Sequence, residues 1–284
     1  MLTRRGLLQL APMVATAHAF AQATPLVNSL RNDQKTISMD LPEQYPAYAS
    51  DLIRTIITVA HFDLDKLKGL IGPHPQLVKS AWDWGFGDWE TPLGAACHMG
   101  RHDIAEYLLL NGAIPTLFSW VLFGDLRMVE QISERQPGIQ RVGGPHSISL
   151  LAHARMGGKQ SEKVLEYLTS LKDADGAKPV PLTEEEKASI CGSYRFGTAP
   201  SQLVDVTSDM LSYQNNPMYT YAPQLNWTRH GTMGRPLFHV GNKVFYPAGA
   251  PSVEILFRFD SRGEVMILRD GDSVELIASR VSSS

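Results

Sequence analysis

The stretch from Thr91 to Ala113 constrains this chain more tightly than any other. Thr91-Pro92-Leu93-Gly94-Ala95-Ala96 reads as a Thr-Pro turn opening a short helix. Gly100 supplies a turn, and Ile104, Ala105, Leu108 and Leu109 form the apolar stripe of a second helix that stops at Asn111-Gly112. Such a helix pair cannot bury its apolar face alone, so neighbours of the same kind are required. The same turn and aliphatic spacing recurs at Val59–Ile71, with Phe62 where the glycine would sit, at Val121–Ile132 around Gly124, and at Ser149–Gly158 around Gly157, followed by Val164–Leu168. The intervals between turns are 38, 24 and 33 positions. The short interval predicts that Ile114-Pro115-Thr116 leads directly into a helix, while the other intervals carry an extended finger.

This set resembles bacterial ankyrin-repeat proteins, in particular an exported group with an irregular array. The resemblance is carried by Thr91–Ala113, by Gly112-Ala113-Ile114-Pro115, by the Gln136-Pro137-Gly138-Ile139-Gln140-Arg141 turn, and by Gly144-Pro145-His146 ahead of Leu150-Leu151-Ala152-His153-Ala154. It implies an ankyrin-repeat α-solenoid of about four repeats over residues 45–172. A surface of that kind binds another protein rather than catalysing a reaction.

The rest of the chain divides by composition. Residues 1–23 read as an export signal: Arg4 and Arg5 precede a modest apolar run, Ala17-His18-Ala19 and Ala21-Gln22-Ala23 offer cleavage sites, and the paired arginines suggest the twin-arginine route. The expected location is periplasmic or secreted, without membrane insertion after cleavage. Residues 24–44 are a polar lead-in, and 173–181 combine the Gly, Pro and charge of a linker. Residues 182–284 open with the capping box Thr183–Glu186 and then alternate. Val253, Ile255, Phe257 and Phe259 share one face, with Glu254, Arg258 and Asp260 on the other, and turns fall at Gly241-Asn242, Ser261-Arg262-Gly263 and Asp270-Gly271. The whole is expected to be an α+β multidomain protein, with an antiparallel barrel or sandwich of seven or eight strands after the solenoid. Ile190-Cys191-Gly192-Ser193-Tyr194 with Phe257-Arg258-Phe259 resembles the small β domain appended to some β-lactamase-like hydrolases, whose catalytic domain has no counterpart here. Lys and Arg total 26 against 29 Asp and Glu, a net charge of -3, which gives no electrostatic reason to expect nucleic acid as a partner.

Catalytic chemistry is sparse. There is no Gly-x-Ser-x-Gly elbow, no Ser-x-x-Lys pair and no His-Glu-x-x-His helix. His98 and His102 straddle Gly100, so His102 and Arg101 read as solvent-facing turn residues and no metal ligand set is expected. His153 reads as a histidine bonded to neighbouring backbone. Gly157-Gly158-Lys159 lacks the upstream glycine of a phosphate loop, and no cofactor is expected. Cys97 and Cys191 read as two free thiols. Trp82, Trp84, Phe86 and Trp89 concentrate three of the five tryptophans in one finger and are the candidate partner-binding residues, with Trp89 the most structural of them. Tyr213, Tyr219, Tyr221 and Trp227 are the candidate ligand-binding rings, at the mouth of a barrel. The expected function is therefore non-catalytic binding of a protein partner. The alternatives are a small-molecule or peptide binder using the β domain, and a hydrolase whose site is unrecognised.

Overall fold

The computed structural model describes residues 44–210, 216–261, 263–271 and 274–281. The expected signal segment and all but the last residue of the lead-in lie outside this set, as does Tyr213.

Among the described residues the first part of the chain forms α1 (Ser50–Ala60), α2 (Leu64–Ile71), a two-stranded hairpin of β1 (Trp82–Asp83) and β2 (Trp89–Glu90), α3 (Pro92–His98), α4 (His102–Leu110), α5 (Leu117–Leu122), α6 (Leu126–Arg135), α7 (Leu150–Met156) and α8 (Glu162–Ser170). Their starts are set locally. The side chains of Asp63, Thr91, Thr116, Asp125 and Ser149 each accept from a backbone N–H in the first turn. Buried Ile56, Leu93, Ile104, Val121, Leu150 and Val164 supply the apolar core.

The expected ankyrin solenoid of about four repeats is not what these helices form. They are short, from 6 to 11 residues, and unequal. Among the described residues a finger with paired strands stands between α2 and α3, while 3-10 turns occupy 75–79, 139–141, 145–147 and 158–161. Helix α3 contacts α7 as well as α5. A stack of equal units does not allow that contact. The fourth turn also departs from its reading: Gly100 and Gly124 take the left-handed conformation at φ +67° and +69°, but Gly157 does not, and Gly158 takes it instead.

After the connection at 171–183, helix α9 (Glu184–Ile190) opens with the capping box in which Thr183 and Glu186 bond each other's backbone. Eight strands then close an antiparallel barrel: β3 (Gly192–Arg195), β4 (Leu203–Thr207), β5 (Leu225–Arg229), β6 (Arg235–Gly241), β7 (Val244–Pro247), β8 (Val253–Asp260), β9 (Gly263–Asp270) and β10 (Val274–Arg280), with β10 pairing β3. This settles the choice between barrel and sandwich. The expected alternation holds in β8, where Val253, Ile255 and Phe257 point inward, and the β6–β7 turn uses Asn242 and Lys243 at positive φ. The interior is filled by Tyr194, Leu225, Trp227, Phe245, Phe257 and Met266 among others. An eight-stranded barrel of this size is closed by its own side chains.

Helices and barrel meet closely. Arg235 of β6 reaches Asp88 at 3.2 Å and also bonds the carbonyl of Trp84, and Ser147 accepts from the Gly249 amide at 2.7 Å.

Candidate metal centre

Where α1 and α3 end, the hairpin carries Glu90 and the turn before α7 carries His146, so that three imidazoles surround one carboxylate. His61 is the residue after the last turn of α1, and His98 is the last residue of α3. Glu90 sits in β2, paired with Trp82. The hairpin is held by Asp83, whose Oδ1 accepts from the amides of Gly85 and Gly87. His146 has φ +60°, a left-handed conformation that turns its ring inward.

The convergence is on a single atom. Glu90 Oε1 lies 2.8 Å from His98 Nε2, 3.6 Å from His61 Nε2 and 3.6 Å from His146 Nε2. One potential ligand atom from each of the four residues falls within 4.8 Å of those of the others. The outer atoms of three of the four groups are committed elsewhere. His61 Nδ1 donates to the Ile57 carbonyl at 2.9 Å, and His146 Nδ1 donates to Asp88 Oδ2 at 2.8 Å. Glu90 Oε2 accepts from Trp84 Nε1 at 2.7 Å. Because those acceptors can only accept, the Nδ1 atoms of His61 and His146 carry hydrogens, so that a ring without a second proton would turn an Nε2 lone pair toward a carboxylate oxygen. Lone pairs facing an anion repel unless positive charge stands among them.

The electrostatics show how strongly the site holds that charge. Burial pushes the Glu90 carboxyl up, but hydrogen bonds from His146 and His98 and their charge outweigh it and hold it far below the usual carboxylate range. Burial pulls His146 down, yet the bonds and charges of Asp88 and Glu90 reverse this and push it up to about 9. His98 is lowered by burial, against the pull of Glu90. Asp88 is also held low: burial opposes, while His146 and Arg235 prevail. Glu90 and His98 are buried, whereas the side chains of His61 and His146 are each 19% exposed and form the solvent edge.

The residues singled out from the sequence are distributed differently. Trp84 is half-buried and anchors Glu90, so it serves the cluster. Phe86 packs against the barrel core, with Trp227 5.9 Å away and the Arg235 guanidinium over its face. Trp82 is half-buried in β1, and Trp89, read as structural, is 62% exposed. Trp227 faces the filled interior of the barrel rather than its mouth. Tyr219 and Tyr221 line a cleft of about 300 Å³ with Phe238 and Tyr246, where Tyr221 donates to Asp175. His102 is not a solvent-facing turn residue: it is half-buried and its Nε2 meets the carbonyl oxygen of Gly157 at 3.2 Å. Arg101 forks onto Asp103 and reaches the carbonyl of Phe62. His153 bonds the backbone of Ser149 as read, and Cys97 and Cys191 are free.

His61, Glu90, His98 and His146 are not among the residues singled out from the sequence, where only pairs close in sequence were weighed as ligands. The available signal was positional: His61 and His98 both close a first helix, and Glu90 stands immediately before the Thr91 cap. The chain matches no protein-family model and no curated protein. Fold and site together define an α+β chain in which a cluster of three histidines and one glutamate lies beside a closed, filled barrel.

Proposed function

We propose that this protein binds a divalent transition-metal ion of the zinc class through His61, His98, His146 and Glu90. The observation that carries the reading is the meeting of three Nε2 atoms on Glu90 Oε1, with every outer atom but one tied to a fixed partner among the described residues. Metal-bound histidines commonly donate their other nitrogen to a carbonyl or carboxylate, as His61 and His146 do here. Three imidazoles and a carboxylate suit zinc and its neighbours better than calcium or magnesium. Ligands at about 2.0–2.1 Å from a tetrahedral zinc stand roughly 3.4 Å apart, so the set has to close by on the order of 1 Å at its widest pair. Four protein ligands fill a tetrahedron, which favours a holding role over a catalytic one. The charged, apolar opening of the chain supports an exported location for this role.

A second reading keeps the hairpin as a contact for a protein partner, favoured by the exposure of Trp89 next to the centre. Trp82, Trp84 and Phe86 act in that reading by holding the hairpin's shape.

Equilibrium dialysis of the purified full-length chain against zinc, with metal content measured by mass spectrometry, tests the proposal. The expected result is one tightly held ion per chain, lost in His98→Ala and in Glu90→Ala. Failure of the wild-type chain to retain zinc, cobalt, nickel, copper, manganese or iron would remove it.

A further inference from the structure

The barrel closes where β10 meets β3, and that seam is short. Ser279 pairs with Arg195 and Arg280 with Tyr194, whereas β9 pairs β10 continuously along Val274–Ser279. After Arg195 the chain leaves the seam: Phe196 donates its amide to the Gln202 carbonyl, which turns it back toward β4. Val274–Ala278 therefore has β9 on one side and, among the described residues, no strand on the other.

The pleat fixes where the unpaired backbone groups point. Val281 donates its amide to the Ser193 carbonyl at 2.8 Å, so its backbone faces β3. Along an antiparallel strand the N–H and C=O of alternate residues face the same side, which sends those of Ile277 and Glu275 to the open edge. The side chains beside them are apolar and uncovered: Leu276 is 48% exposed, Ile277 50% and Val274 41%. Natural sheets blunt such an edge with lysine, proline or a bulge. Val274-Glu275-Leu276-Ile277-Ala278 contains neither residue, and its pairing with β9 runs without a register shift.

Charge decides what this edge receives. Glu275 is the one charged side chain of the run, and its Oε2 accepts from Arg269 Nε at 2.8 Å. Arg269 also meets Glu254 at 3.7 Å. The strip thus presents no uncompensated charge to a nucleic acid, an anionic membrane or a charged peptide. It is complementary to itself, because two antiparallel edges related by a two-fold axis set N–H against C=O throughout. We propose that the Val274–Ala278 edge of β10 is a homodimer interface, pairing antiparallel with the same edge of a second copy of this chain so that one sheet runs across two barrels. With Ile277 hydrogen-bonded to Glu275 of the second copy, the axis passes beside Leu276, which meets its own copy in the closer, non-hydrogen-bonded pairing. Val274 then lies against Ala278, and each Glu275 stands opposite an isoleucine instead of a second carboxylate. The interface lies wholly in the barrel and is independent of the metal reading.

Sedimentation equilibrium over a concentration series, on the full-length chain as wild type, Ile277→Lys and Leu276→Lys, tests the proposal. The wild-type mass should double as concentration rises, while both lysine variants hold the mass of one chain with far-UV circular dichroism like that of wild type. An equimolar mixture of Leu276→Lys and Leu276→Glu should restore the doubled mass, because the axis sets those side chains against each other. Hydrogen exchange of the wild type needs no variant and decides the matter if the variants misfold: the amides of Glu275 and Ile277 should slow at high concentration and quicken on dilution. A wild type that keeps the mass of one chain throughout overturns the proposal and leaves the edge to a strand of another protein. A doubled mass retained by both lysine variants also overturns it, as does exchange at Glu275 and Ile277 that is indifferent to concentration.

Discussion

Asp88 and Glu90, two positions apart on one hairpin, together hold the proton of His146. Without a bound ion, pH acts on each group in a defined direction. His146, raised to about 9 from an ordinary 6.5, contributes stability that is full below pH 6.5 and is lost as pH rises through about 9. His153, lowered by burial to about 3, contributes stability present above 6.5 and lost as pH falls toward 3, and the burial-lowered His98 acts in the same sense. Glu90 and Asp88, both held low, add further loss at acid pH. In a chelator the urea midpoint should therefore peak near pH 6.5 and decline on both sides. Zinc should flatten the alkaline limb, because the ion then supplies the positive charge that the His146 proton supplied. Denaturation series at about pH 5, 6.5 and 9, with and without zinc, check both statements.

At the scale of elements, local chemistry and tertiary packing part company. The barrel was legible because alternation and turn residues fix a strand's faces with little help from distant sequence. The helix starts were legible for the same reason, since Thr91, Thr116, Ser149 and Thr183 cap from their own side chains. The arrangement of the helices was not, because short helices of unequal length pack by what their side chains meet, and the α3–α7 contact has no counterpart in the spacing of turns. The cluster was invisible for a related reason: it draws on four separate elements, and only packing brings His61, Glu90, His98 and His146 together. Gly124 shows how tightly the elements fit. At φ +69°, an added Cβ would stand 2.0 Å from the carbonyl oxygen of Gln160, in the turn that opens α8. Gly112, at φ +93°, has nothing within 4 Å among the described residues. Gly124→Ala should thus cost clearly more than Gly112→Ala, whose penalty is the left-handed backbone alone at about 1 kcal/mol. Equal losses in chemical denaturation would contradict the packing of the α5–α6 turn against the turn that opens α8.

Across the whole molecule, the histidine cluster and the barrel are joined through Asp88. Asp88 takes the ring and backbone N–H of His146 on one side and the Arg235 guanidinium on the other. Arg235 in turn bonds the carbonyl of Ala248 at 2.7 Å and reaches that of Trp84. Asp88→Ala leaves a buried guanidinium uncompensated, for which the expected cost is about 3–5 kcal/mol, and frees the His146 ring, so zinc affinity should fall with stability. Arg235→Met removes the same ion pair from the barrel side but leaves His146 bonded to Asp88. It should spare zinc affinity far better than Asp88→Ala does, and paired denaturation and zinc titrations separate the two.

X-ray absorption at the zinc edge on the loaded full-length protein tests the central claim most directly. The predicted first shell is three imidazole nitrogens and one carboxylate oxygen at about 2.0–2.1 Å, with the outer-ring scattering of three histidines. A first shell of water oxygens without imidazole scattering, or a shell containing sulfur, would contradict it.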